Sequence, residues 1–206
     1  MISRMHLTVL LFTASLIWGT LLIIDGFAVT LYCLKPISIV VGILIFLLSF
    51  FEKWGWGISY LHPWFVLVPD MRGTWKGTLL STWQNDLTQE PIPIESYLVI
   101  RQTYSTISIR LITKESISTL LTGSIIRSND GIYEIVGVYQ NTPKILIREK
   151  SPIHYGGILL AIEGNPPSYL EGHYWTDRET KGELRFKKFS RTTYENFTQA
   201  SLATHD

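Results

Sequence analysis

The sequence holds a single cysteine, Cys33, so an internal disulfide and a multi-cysteine metal site are both excluded, and redox chemistry is not expected. It has no glycine-rich phosphate loop of the P-loop or Rossmann type. His62, His154 and His173 show neither metal-ligand spacing nor an adjacent pair of acids that would make a hydrolase site. Glu171 with His173, and Asp177 with Glu179, share a face at strand spacing, but two side chains are too few for a metal site. These absences predict a chain that is not an enzyme and carries no metal and no cofactor. Charged residues make up only 17% of the 206 positions, and no sign is in excess over the later part of the chain. Of the 18 basic residues only Arg4, Lys35 and Lys53, and of the 17 acidic ones only Asp25 and Glu52, fall in the first 58 positions, which leaves 15 of each sign beyond. A neutral domain lacks the basic face that polymeric nucleic acid requires.

Charge is absent altogether from two stretches, residues 7–24 and 36–51. A membrane crossing takes about 20 apolar residues, so the first run is long enough alone and the second becomes so with Trp54, Trp56 and Ile58 beyond it. Neither run has a polar stripe that would face water in a soluble helical hairpin. No A-x-A cleavage site follows the first run and a second run comes soon after, which argues against a removable signal peptide. Arg4 and Lys53 lie outside the runs and only Lys35 between them, so the positive-inside rule predicts a two-span protein with both termini and the later domain on the cytoplasmic side. Trp54, Trp56, Tyr60 and Trp64 are expected as an aromatic belt where the second helix leaves the bilayer.

The domain reading is a two-helix hairpin over 1–58, a linker over 59–69 with Pro63 and Pro69, a β-rich domain over 70–192 and a tail over 193–206. Strands are expected at 73–83, 96–103, 106–113, 119–127, 132–140, 144–149, 157–163, 169–176 and 182–189, separated by turn signals such as Asn129-Asp130-Gly131 and Asn165-Pro166-Pro167. About eight or nine short strands without helices between them predict an all-β domain, an antiparallel up-and-down barrel of about eight strands, since closure removes exposed edges. A barrel of that size encloses room for one small ligand. Gly73-Thr74-Trp75 is similar to the Gly-x-Trp on the first strand of lipocalin-like barrels.

Scattered arginines and lysines on several strands, Arg101, Arg110, Arg178 and Lys181 among them, are candidates to hold phosphates through charge-assisted hydrogen bonds. Ten tyrosines and seven tryptophans supply flat faces for purines. The clusters His173 to Gly182 and His154-Tyr155-Gly156-Gly157 place donors, aromatic faces and glycines that let a ligand or backbone come close, which fits either a ligand site at a barrel mouth or turn and packing chemistry alone. The candidate ligand-binding set is Trp75, Arg101, Arg110, His154, Tyr155, Tyr174, Thr176, Arg178 and Lys181.

The stretch Val68 to Gly77, VPDMRGTWKG, with Leu170 to Arg178, LEGHYWTDR, and Lys181-Gly182-Glu183, resembles the membrane effectors of CBASS, the bacterial anti-phage system built on cGAS-like nucleotidyltransferases, in the subfamily with two transmembrane helices before a β-rich domain. The resemblance implies a receptor domain for a cyclic dinucleotide made by the partner nucleotidyltransferase. It also implies a hairpin that then self-associates in the lipid bilayer, breaches the inner membrane and kills the infected cell. Ser15-x-x-x-Gly19 in the first run is a small-xxx-small pattern through which helices approach closely. Two other classes fit the same residues: a membrane-anchored carrier or sensor of an apolar ligand, and a structural protein of the envelope.

Overall fold

The computed structural model describes residues 4–24, 37–62, 64–82 and 93–203. Cys33, Lys35, Pro63 and the end of the first expected strand at Trp83 lie outside the described residues. The chain divides into two compact units, one within residues 1–67 together with 103–105, the other made of 68–102 and 106–206.

In the first unit, helices α1 (Arg4–Ile24) and α2 (Ile37–Lys53) occupy the two uncharged runs. The second run does not extend as a helix through Trp54, Trp56 and Ile58. Gly55 and Gly57, both poor helix formers, give way there to a 3₁₀ turn over Gly55–Gly57. Among the described residues no helix is long and apolar enough to cross a membrane. Trp54, Tyr60 and Trp64 point outward, whereas Trp56 is fully buried and is a core residue of this unit, not part of a belt. The ring nitrogen Nε2 of His62 lies 2.9 Å from its carbonyl oxygen, which fixes the turn.

The second unit is a closed barrel of eight antiparallel strands in sequence order: β1 (Gly73–Ser81), β2 (Pro93–Gln102), β3 (Ile107–Thr113), β4 (Ser116–Arg127), β5 (Tyr133–Pro143), β6 (His154–Glu163), β7 (Tyr169–Thr176) and β8 (Lys181–Ser190). β1 pairs with both β2 and β8, so no edge is left open. The expected strand at 144–149 is absent. Pro143, which has no N–H, closes the β5 ladder, and Ile145–Ile147 forms a 3₁₀ turn instead.

Alternation along each strand sends one set of side chains inward. At one end these are large and tightly packed: Met71, Trp75, Ile100, Ile135, Leu170 and Phe186 close the base. The Trp75 indole N–H donates to the Met71 carbonyl at 3.0 Å, and Lys188 points inward with its ammonium 4.5 Å from the Trp75 ring centre. Gln102 secures the entry to β1 with both ends of its amide, accepting from the Met71 N–H and donating to the Pro69 carbonyl. Outside β2, the final segment folds back as helix α3 (Phe197–Leu202), with Phe197 edge-on to Tyr97 and Asn196 capping its first turn by accepting from the Gln199 N–H.

Candidate ligand cavity of the barrel

Away from the packed base, the inward side chains become shorter or polar and a cavity of about 800 Å³ opens. That lies within the roughly 300–1,000 Å³ of small-ligand sites. Its floor is apolar, with Leu98, Ile109, Leu111, Leu120, Leu160 and Leu184. Its mouth lies where the β3–β4 turn, the β5–β6 connection and the β7–β8 turn meet.

Two tyrosines stand on the wall between floor and mouth. Tyr139 of β5 lies opposite Gly156 of β6, and a Cβ at Gly156 would fall 2.5 Å from the Tyr139 hydroxyl oxygen. Tyr174 of β7 lies opposite Gly182 in the same way. On the outer face, the Trp175 ring covers Gly157. The glycine pair 156–157 is therefore filled by the barrel's own rings, the packing alternative of the two that its sequence allowed. Burial raises the Tyr139 hydroxyl far above its ordinary range, with Tyr174 and Asp177 adding to the effect. Burial raises Tyr174 as well, against a hydrogen bond with Ser81. Both hydroxyls are thus neutral donors and acceptors at the cavity wall.

The mouth carries the charge. Lys114, Lys150 and Arg178 line it on separate connections, and none forms an ion pair with another described residue. Arg178 is presented by a tightly bonded turn. Its own N–H donates to Thr176 Oγ1 at 3.2 Å, the Thr176 and Thr180 hydroxyls bond at 2.7 Å, and Asp177 accepts from the Tyr155 N–H. Across the opening, Arg178 Nη1 donates to Ser151 Oγ at 3.2 Å. Glu95 and Glu115 also border the cavity, but Glu95 is bound to Lys76 at 2.9 Å and accepts from the Tyr97 hydroxyl. Those two partners hold its carboxyl below its ordinary value. One side of the mouth thus offers cations around an apolar floor, an arrangement suited to an anionic ligand with flat, apolar parts.

Of the nine residues singled out from the sequence, His154, Tyr174 and Arg178 line this cavity. Thr176 is buried beside it and shapes the turn that carries Arg178. Trp75 is sealed in the base, away from the cavity. Arg101 and Arg110 are exposed on the outer wall of β2 and β3, beside Tyr194 and Glu195 of the final segment. Tyr155 and Lys181 also occupy outward positions, since each follows or precedes an inward residue by one step of the pleat. Sequence reasoning passed over Lys114, Lys150, Ser151, Tyr139 and Asn141. The signal for the last two was available: Ile135, Gly137, Tyr139 and Asn141 share one face of β5, and polar residues on an inward face mark a lumen.

The model of the family described as "Cap15, cyclic dinucleotide receptor domain" matches residues 66–188, a range that contains the whole cavity wall except Phe197. Two curated proteins are similar to the chain, both called CD-NTase-associated protein 15. The one from Staphylococcus schleiferi is 37% identical over 89 residues, 43% of this chain and 47% of that protein. The one from Yersinia aleksiciae is 31% identical over 151 residues, 69% of this chain and 66% of that protein. The matched stretches thus span from about half to just under two thirds of these relatives.

Proposed function

The chain belongs to the family of the Cap15 cyclic dinucleotide receptor domain, and we propose that its barrel binds a cyclic dinucleotide in the cavity as the sensing step of a CBASS anti-phage effector, without itself catalysing a reaction. The observation that carries the reading is the pairing of an apolar lumen of about 800 Å³ with Lys114, Lys150 and Arg178 at its mouth. Phosphodiesters take charge-assisted hydrogen bonds from such cations, and the bases gain from apolar and aromatic walls such as Tyr139 and Tyr174. The partner enzyme is then a cGAS-like nucleotidyltransferase that makes the ligand.

Membrane action belongs to the same proposal. Each helix as described falls short of a crossing, and the support comes from the two uncharged runs and from the large apolar side chains that α1 and α2 leave exposed, Phe12, Leu16, Ile24, Ile45, Phe46 and Leu48 among them. Such faces need a partner other than water, and lipid is one that satisfies them on all sides. In this reading, ligand binding favours self-association of the hairpins and the bilayer is disrupted. A ligand drives that change only if it binds the assembled state more tightly than the separated one.

Calorimetric titration of the full chain against a panel of cyclic dinucleotides tests the binding step. At least one is expected to bind, and Arg178→Ala is expected to weaken it by roughly 1.5 to 3 kcal/mol, the range for a hydrogen bond to a charged group. Arg101→Ala, on the outer wall, is expected to leave affinity unchanged. The apolar floor also favours a second reading, a carrier of an apolar small molecule. Displacement of a bound fatty acid or hydrophobic dye, with no heat from any cyclic dinucleotide, would select it.

A further inference from the structure

The β5–β6 connection, residues 144–153, stands at the cavity mouth as a nearly self-contained piece. The Ile147 N–H donates to the Lys144 carbonyl, the Arg148 N–H to Ile145 and the Ser151 N–H to Ile147, while Arg148 Nε donates to the Pro143 carbonyl. Apart from contacts at its own ends, two hydrogen bonds among the described residues tie it to other parts of the barrel. One runs from the Lys144 N–H to the Glu115 carbonyl, the other from Arg178 Nη1 to Ser151 Oγ. Leu146 is 96% exposed and Ile145 77%, although Leu146 and Ile147 also border the apolar cavity. The folded barrel leaves these side chains in water beside a space that would cover them.

We infer that this connection is a lid and that Leu146 is its closing side chain, folding over a ligand seated in the cavity. The inference rests on the reading of the cavity as a cyclic dinucleotide site. A phosphate competes for the Arg178 guanidinium with charged hydrogen bonds, which are stronger than the one to the neutral Ser151 hydroxyl. Its arrival therefore releases one of the two ties. The freed connection then moves inward, burying Leu146 against a base and bringing Lys150 toward the phosphates. Because Leu146 contributes nothing to the open fold, its replacement leaves the barrel intact.

The test uses the full chain in lipid nanodiscs with the best-binding cyclic dinucleotide of the panel. Leu146→Ser is expected to speed ligand dissociation about tenfold, the lower end of the effect of burying a leucine, with little change in association rate. In the unaltered chain, ligand is expected to slow amide exchange over 145–151. If the ligand binds but neither dissociation nor exchange responds, the lid is wrong while the receptor reading stands. Altered self-association of Leu146→Ser with unchanged dissociation would assign the side chain to a contact between copies and also overturn the lid. If no cyclic dinucleotide binds the unaltered chain, the receptor reading fails and the lid with it.

Discussion

At the base of the barrel the Lys188 ammonium lies over Trp75 and donates to the carbonyls of Met71 and Arg72. Burial lowers its pKa to about 8, although the Asp70 carboxylate favours its charge, while Arg191 and Arg72 act in the same direction as burial. Burial alone would raise Asp70, but hydrogen bonds from the Arg72 side chain and N–H hold its carboxyl below the ordinary value. An unfolded lysine keeps its proton up to about 10.5, so between that value and about 8 the unfolded chain binds more protons than the folded one. Stability should therefore rise with pH across this window. The rise is cut short above about 10, where unfolded tyrosines ionise and the buried Tyr139 does not. Urea unfolding of the full chain at pH 7.5 and 9.5 checks this, and Lys188→Met should flatten the difference. Gly156 sits hard against two neighbouring groups. A methyl there meets the Tyr139 hydroxyl at 2.5 Å and also runs into the Trp175 carbonyl, so Gly156→Ala should cost about 1–3 kcal/mol in a urea unfolding assay. Both sites show why single residues were hard to read from sequence: Trp75 and the glycine pair look like ligand chemistry in isolation, and only the cross-strand register reveals that they serve packing.

Elements were more legible than residues because the strand period and the turn chemistry are local. The Asn129-Asp130-Gly131 and Lys181-Gly182 signals fall at or next to strand boundaries, and Gly131 takes the positive φ of 92° that its turn demands. The stretch 144–149 misled because a short apolar run reads alike as a buried strand or an exposed turn. Its ladder partner was the missing information. The arginines divide for the same reason. Arg178 reaches the mouth because a turn projects it, whereas Arg101, near the end of β2, and Arg110, in the middle of β3, sit on outward strand positions that no local signal distinguishes. At this scale α3 offers a test of its own. Asn196 caps a six-residue helix that covers Tyr97, and Asn196→Ala should cost about 1 kcal/mol of local stability. Faster amide exchange over 199–202, with the barrel strands unaffected, is the expected result.

For the whole molecule, closure of eight strands around a half-filled lumen was predictable from strand number and edge avoidance, and the family match over 66–188 agrees with that barrel as a receptor domain. Membrane assembly is the larger step. A Cβ at Gly19 on α1 would meet nothing within 4 Å among the described residues, so the position is open to a neighbouring chain. Gly19→Leu should reduce ligand-dependent crosslinking and cell killing while leaving affinity for the cyclic dinucleotide intact. A reporter fused after Asp206 should show cytoplasmic activity, and periplasmic alkaline phosphatase activity there would reverse the orientation. The central claim is that the ligand sits in the lumen beneath the cationic mouth. Photocrosslinking of the full chain with an azidopurine cyclic dinucleotide, followed by peptide mapping, tests it most directly. Labelling confined to peptides around Lys114–Ser118, Leu146–His154 and Tyr174–Thr180, and lost with excess unlabelled ligand, is the predicted result. Displaceable labelling on the outer wall around Arg101 and Arg110 instead would contradict it.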